Sequence, residues 1–221
     1  MVFKREYIII GFLYFCTWFF SSLIASLIAM VVLKNTIEDY LMATAYTNFF
    51  CFSLLIVITI YLTRNEWRRK ISIQWDDIIK FILWAFFGSI VAILGQVVAN
   101  ELLSLLFNFE EVSQNTTTIL KIIKLVPVFA VSTILFAPIM EEVVFRKILF
   151  GTLLQKHGFL TSAFLNSFLF AIIHLDFKHL LVYLVMGFTF SFIYYKTKRI
   201  IVPIAAHALM NAIPIISMFY Q

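Results

Sequence analysis

The sequence predicts an all-α, polytopic transmembrane helix bundle of about seven spans, and three observations carry that prediction. Of 221 residues, 62% are hydrophobic and 18% aromatic, with 26 Phe, while only 13% are charged; an ordinary soluble domain carries about twice that charge. The apolar residues collect in uncharged runs of roughly 20 residues, long enough to cross a hydrocarbon core of about 30 Å. No stretch shows the strand alternation that a barrel requires, and lipid leaves helices as the other way to satisfy a spanning backbone. The net charge of +5 is spread over short connections instead of forming one basic patch, which excludes a nucleic-acid module. Cys16 and Cys51 each sit within an apolar run and read as packing groups, not as a disulfide framework.

In chain order the expected spans are 7–33, 41–62, 81–107, 122–145, 159–175, 180–195 and 200–220. The first is too long for a signal-peptide core and has no A-x-A-like cleavage site, so it reads as a retained anchor. Lys and Arg fix the orientation. Of 17 such residues, Lys34, Lys121, Lys124 and Lys178 fall in alternate connections, and all the others fall on the opposite side. The expectation is a multi-pass cell-membrane protein with a cytoplasmic N-terminus and an outward C-terminus. Trp67, Arg68, Arg69, Lys70 and Trp75 read as an interfacial anchor. In the third span Ala85, Ser89, Ala92, Gly95 and Ala99 form a small-residue stripe suited to close helix packing. The Asn115-Thr116-Thr117 sequon reads as a polar outer loop. No internal repeat and no paired broken helices point to a secondary transporter. Residues 1–121 are read as scaffold helices, and 122–221 hold the residues that lipid should not tolerate.

Those residues are Glu141, Glu142, Arg146, His174, His207 and Asn211. An ionisable group at membrane depth costs at least about 2.5–3.5 kcal/mol, so such groups face an interior and pair with one another. Glu142 and Arg146 lie at i and i+4, so the arginine can neutralise that glutamate and leave Glu141 for other work. His207 and Asn211 likewise share one face of the last span. Glu141 lies 17 residues before Gly158 and His174 lies 16 after it, so an antiparallel hairpin brings both to a level about 25 Å from the turn. His207 lies about 12 Å past Arg199, and Glu141 about 7 Å inside Arg146, so the three helices converge in depth. His174 then falls near the end of a short span, beside Asp176 and Lys178, which suits a shallow helix lining a wet cavity. His157, Asp176 and His179 read as solvated connections.

Three motifs in order, Glu141-Glu142-Val143-Val144-Phe145-Arg146 (E-E-x-x-x-R), Phe170-Ala171-Ile172-Ile173-His174 (F-x-x-x-H) and His207-Ala208-Leu209-Met210-Asn211 (H-x-x-x-N), resemble the CPBP family. That family comprises CAAX-type prenyl-protein endopeptidases and bacteriocin-processing or bacteriocin-immunity proteins, also called Abi proteins, and is described as intramembrane metalloproteases. The resemblance covers roughly 122–221 and implies a catalytic core in the last four helices that cuts a peptide bond in a membrane-associated protein or peptide.

Peptide hydrolysis needs an activated water, a stabilised oxyanion and a proton for the leaving amine. Glu141 and His174 are expected to activate the water, and His207 and Asn211 to donate to the oxyanion, while Arg146 holds Glu142 ionised. This reading requires no cofactor. Glu141, His174 and His207 could instead be zinc ligands, since one carboxylate, two imidazoles and a water form an open catalytic zinc set. There is no H-E-x-x-H or G-x-S-x-G motif and no Asp within an uninterrupted apolar span, so serine and paired-aspartate sites are not available. The rivals from other classes are a non-catalytic immunity or partner-binding membrane protein, in which the polar groups only join helices, and a proton-coupled transporter.

Overall fold

A computed structural model describes residues 4–34, 36–67, 74–107 and 113–220. Among these residues every regular element is helical and no strand occurs. Eight helices follow in order: α1 Arg5–Val31, α2 Ile37–Trp67, α3 Trp75–Phe107, α4 Gln114–Leu125, α5 over 129–153, α6 Phe159–Ile173, α7 Leu180–Thr197 and α8 Ile201–Met218. Five of them, α1, α2, α3, α7 and α8, are long and apolar enough to cross a membrane. The expected anchor cluster Arg68, Arg69 and Lys70 lies outside the described residues.

The fourth expected span differs most from its sequence reading. Helix α4 ends at Leu125, a turn follows at Pro127, and α5 then runs unbroken through alternating α and π stretches. The first π stretch, Ser132–Phe136, ends two residues before Pro138, which cannot donate to the preceding turn. A local π adjustment is one way a spanning helix accommodates such a residue. The second, Val143–Phe150, begins immediately after Glu142. The sequon also departs from expectation, because Asn115, Thr116 and Thr117 form the first turn of α4 instead of a loop.

The chain divides into two compact units. The first comprises Met1–Ser72 and Thr118–Met140. In it α1 packs along α2, with Ile10, Tyr14, Ala25 and Ala29 buried on one side and Ala43, Ala45, Phe52 and Leu55 on the other. Helix α2 opens with a capping box, in which Thr36 N–H donates to Asp39 Oδ2 and Asp39 N–H to Thr36 Oγ1, each at 3.1 Å. This satisfies two backbone donors that a helix start leaves over.

The second unit comprises Ile73–Thr117 and Glu141–Gln221. Here α3 packs on α7 and α8, and α6 packs on α7. The stripe expected on α3 is the packed face: Ala85, Gly88, Ser89, Ala92 and Ala99 are buried, and a side chain at Gly88 would overlap Ile193. Between α6 and α7 the backbones come close at Gly187, where a Cβ would stand 2.8 Å from the Ser167 backbone. Asn166 donates to Ser191 Oγ at 2.9 Å across the same contact, an interhelical bond of the kind that joins membrane helices.

Candidate active site

All six polar residues singled out from the sequence belong to the second unit. Glu141 and Glu142 end the last α turn of α5 before its π stretch, and π turns inside α-helices recur at functional sites. Arg146 follows within that stretch, and Arg146 Nε stands 3.1 Å from Glu142 Oε2 with both side chains fully buried. This is therefore a buried ion pair and not an interfacial one. Its cation lies among aromatic rings, with the guanidinium 4.4 Å from the centroid of Phe170 and 5.4 Å from that of Phe190. A desolvated guanidinium gains from the ring quadrupoles there.

Glu142 does more than the i, i+4 spacing suggested. Its Oε1 accepts a 2.9 Å hydrogen bond from His207 Nδ1, so one carboxylate joins Arg146 of α5 to His207 of α8. The other ring nitrogen, His207 Nε2, lies 3.8 Å from Glu141 Oε2. The two neighbouring glutamates thus face the two nitrogens of one imidazole. His207 is nearly sealed and stacks on Phe190 at 4.8 Å with 21° between planes, whereas Glu141 keeps 16% of its side chain exposed. With Nδ1 donating to Glu142, Nε2 can donate only when the ring carries both protons.

His174 caps the C-terminus of α6. Fifteen residues at about 1.5 Å each give α6 a length of about 22 Å, short of a full crossing, and the backbone turns away at Leu175, whose φ is +52°. His174 Nδ1 lies 2.7 Å from the Phe170 carbonyl. A carbonyl only accepts, so Nδ1 carries the hydrogen, and in the neutral ring Nε2 keeps a lone pair. The Phe170 ring is the hub of the site, at 4.7 Å from the His174 ring, 6.2 Å from His207 and 5.3 Å from Phe145. Asn211 follows His207 by one turn of α8 and is half-buried. Three residues further on, Pro214 lies inside α8 and cannot donate to the carbonyl of Met210.

Sequence reasoning missed a second polar group beside His174. Asp176 and His179, expected as solvated, are largely buried, and His179 Nδ1 donates to Asp176 Oδ1 at 2.9 Å. Asp176 Oδ2 also accepts from Ser113 Oγ at 2.7 Å. Burial raises the Asp176 carboxyl, but the hydrogen bonds from His179 and Ser113 outweigh it and hold the group below the usual carboxylate value. Tyr183 completes the group, its hydroxyl lying 3.3 Å from Ser113 Oγ and accepting from Asn115 Nδ2 at 3.4 Å. No sequence signal marked Tyr183 or Phe190, since one aromatic residue among so many carries no spacing of its own.

As to a metal, no three His, Cys, Asp or Glu side chains among the described residues are gathered so as to hold an ion.

A helical membrane protein with a buried glutamate–imidazole site in its C-terminal half is the class that fold and site define. The profile of the family described as type II CAAX prenyl endopeptidase Rce1-like matches residues 122–213. The chain is 38% identical over 184 residues to "Putative membrane peptidase YdiL" of Bacillus subtilis, an alignment covering 83% of this chain and 75% of that protein. It is 32% identical over 172 residues to "Membrane-embedded CAAX protease MroQ" of Staphylococcus aureus, covering 74% of this chain and 70% of that one. No solved structure matches the chain. The chain belongs to the Rce1-like CAAX endopeptidase family, a family of membrane peptidases.

Proposed function

We propose that this protein is an intramembrane endopeptidase that cuts a peptide bond in a membrane-associated protein or peptide, with Glu141 as the general base. The observation that carries the reading is the approach of the partly exposed Glu141 carboxylate to His207 Nε2, 3.8 Å away, while Glu142 holds the opposite nitrogen. A water between Glu141 and the His174 lone pair would find two acceptors for its two hydrogens, leaving its own lone pair for the carbonyl carbon. Glu141 takes one of those protons as the bond forms and later returns it to the leaving amine. The doubly protonated His207 ring, held by Glu142, donates from Nε2 to the developing oxyanion, with the Asn211 amide as second donor. Glu142 and Arg146 position His207 and do not touch the substrate.

The substrate class we assign is a peptide or protein segment at the membrane, and peptide processing or bacteriocin self-immunity are the roles it would serve. The orientation we assign puts the N-terminus in the cytoplasm. The test is purified protein in liposomes with two probes, a prenylated peptide ending in a CAAX-type tail and an unprenylated transmembrane peptide, with products read by mass spectrometry. Glu141→Ala and His207→Ala should insert normally and cut neither probe. Wild-type rates in either variant would favour the non-catalytic, partner-binding reading. Bound metal measured on the same active preparation addresses the zinc alternative: stoichiometric zinc, lost together with activity on chelation, would replace this mechanism by a metal-dependent one.

A further inference from the structure

His174 caps α6, and the chain turns away at Leu175 with φ +52°. Its own helix holds it through the Phe170 carbonyl and ring. From α7 the Tyr183 ring stacks on the imidazole at 4.1 Å with only 25° between planes. Tyr183 is itself 6% exposed, and its hydroxyl is tethered by Ser113 Oγ and Asn115 Nδ2 at the start of α4. Ser113 is in turn bonded to Asp176, and Asp176 to His179. The chain before α4 and the α6–α7 connection are thereby fastened together behind one imidazole.

We infer that Tyr183 is a positioning residue that fixes the rotation of the His174 ring, so that Nε2 presents its lone pair while Nδ1–H stays on the Phe170 carbonyl. This rests on the hydrolytic reading above. A ring flip about χ2 would exchange Nδ1 with a carbon, break the 2.7 Å bond to Phe170 and sweep through the space the tyrosine fills. Tyr183 cannot yield easily, because its hydroxyl is tied at the far end. Small misplacements of a reacting group cost rates heavily, about a hundredfold for an ångström.

The experiment reads the ring directly and then its effect. In protein labelled with ¹⁵N-histidine, the four histidines give resolvable nitrogen signals, with His174 assigned by its loss in His174→Ala. Wild type should show one protonated and one bare His174 nitrogen. Tyr183→Leu, by freeing the ring from the Phe170 carbonyl, should let the two tautomers exchange and average the two signals, and Tyr183→Phe, which keeps the ring without its tether, should restore most of the separation. With whichever probe peptide is cut, Tyr183→Leu should lower kcat about tenfold to a hundredfold with KM nearly constant, and Tyr183→Phe should recover most of the loss. Ser113→Ala and Asn115→Ala, which keep the ring and loosen its tether, should shift both readouts the same way by less, and they stand in if Tyr183→Leu does not fold. Unchanged His174 nitrogens in these variants would overturn the inference, as would a raised KM at constant kcat, which would make Tyr183 a substrate contact. Full cleavage by His174→Ala would instead overturn the hydrolytic role of His174, while an inactive His174→Ala beside a fully active Tyr183→Leu removes the positioning role alone.

Discussion

The Glu142–Arg146–His207 cluster and the Ser113–Asp176–His179–Tyr183 cluster both hide ionisable groups, and they do it by different means. In the first, three formally chargeable side chains from α5 and α8 are sealed from solvent and pair with one another, with aromatic rings packed around them. In the second, the groups lie at helix ends and connections and are held by hydrogen bonds that neutral residues share. Removing one member from a sealed set strands a charge where nothing else can solvate it, whereas a cluster at helix ends can turn to water. The first should therefore be stiff and unforgiving, and the second graded.

The largest contrast is expected from Arg146→Met. Breaking a buried pair by removing one partner costs about 3–5 kcal/mol, so this variant should lose most of its folded population in a detergent unfolding titration. Glu142→Leu/Arg146→Met, which removes both charges, should regain much of that stability yet stay inactive, because His207 loses its carboxylate. A double variant as unstable as the single would show that the pair is not the source of the cost. Next comes Asn211→Ala, at the edge of the same cluster: loss of one oxyanion donor should lower kcat by about 10²-fold to 10³-fold with the unfolding midpoint little moved, as steady-state rates on a cut probe peptide would register. A midpoint that falls with unchanged kcat would make Asn211 a structural residue.

Asp176→Asn, in the second cluster, keeps an acceptor and should cost only about 1 kcal/mol by the same titration. A loss as large as that of Arg146→Met would erase the distinction between the two clusters. The smallest effect is its pH dependence. The folded state holds the Asp176 carboxyl below its usual value, so the folded state favours the ionised form. That contribution is complete above the unfolded value of about 3.9 and is lost as pH falls through it toward the lowered folded value. The stability gap between wild type and Asp176→Asn should accordingly close below about pH 4. A gap that widens on acidification would contradict the hydrogen-bonding account.

Several parts of this molecule were legible because they follow from one-dimensional rules. Apolar run length marks α1, α2, α3, α7 and α8, and the spacing of Ala85, Ser89, Ala92 and Ala99 marks the packed face of α3. Glutamates and histidines inside apolar runs mark groups that pair in an interior, because lipid makes them costly. The fourth expected span was less legible, since hydropathy continues across Pro127 although the helix does not. Asp176 and His179 were misread for the same kind of reason: composition cannot tell a charged connection in water from one folded against Ser113 and Tyr183.

What the sequence determined by itself is the all-helical membrane class and that Glu141, Glu142, Arg146, His174, His207 and Asn211 are polar groups set among apolar ones, since the energetic penalty of a polar group in lipid is a local property of the chain. What only the tertiary structure decided is which partner each takes: that Glu142 serves Arg146 and His207 together, that Glu141 faces the remaining nitrogen of His207, and that Tyr183 backs His174. Pairing depends on distances of a few ångströms between helices far apart in the chain, and a π stretch or a left-handed residue such as Leu175 resets those distances without leaving a trace in hydropathy.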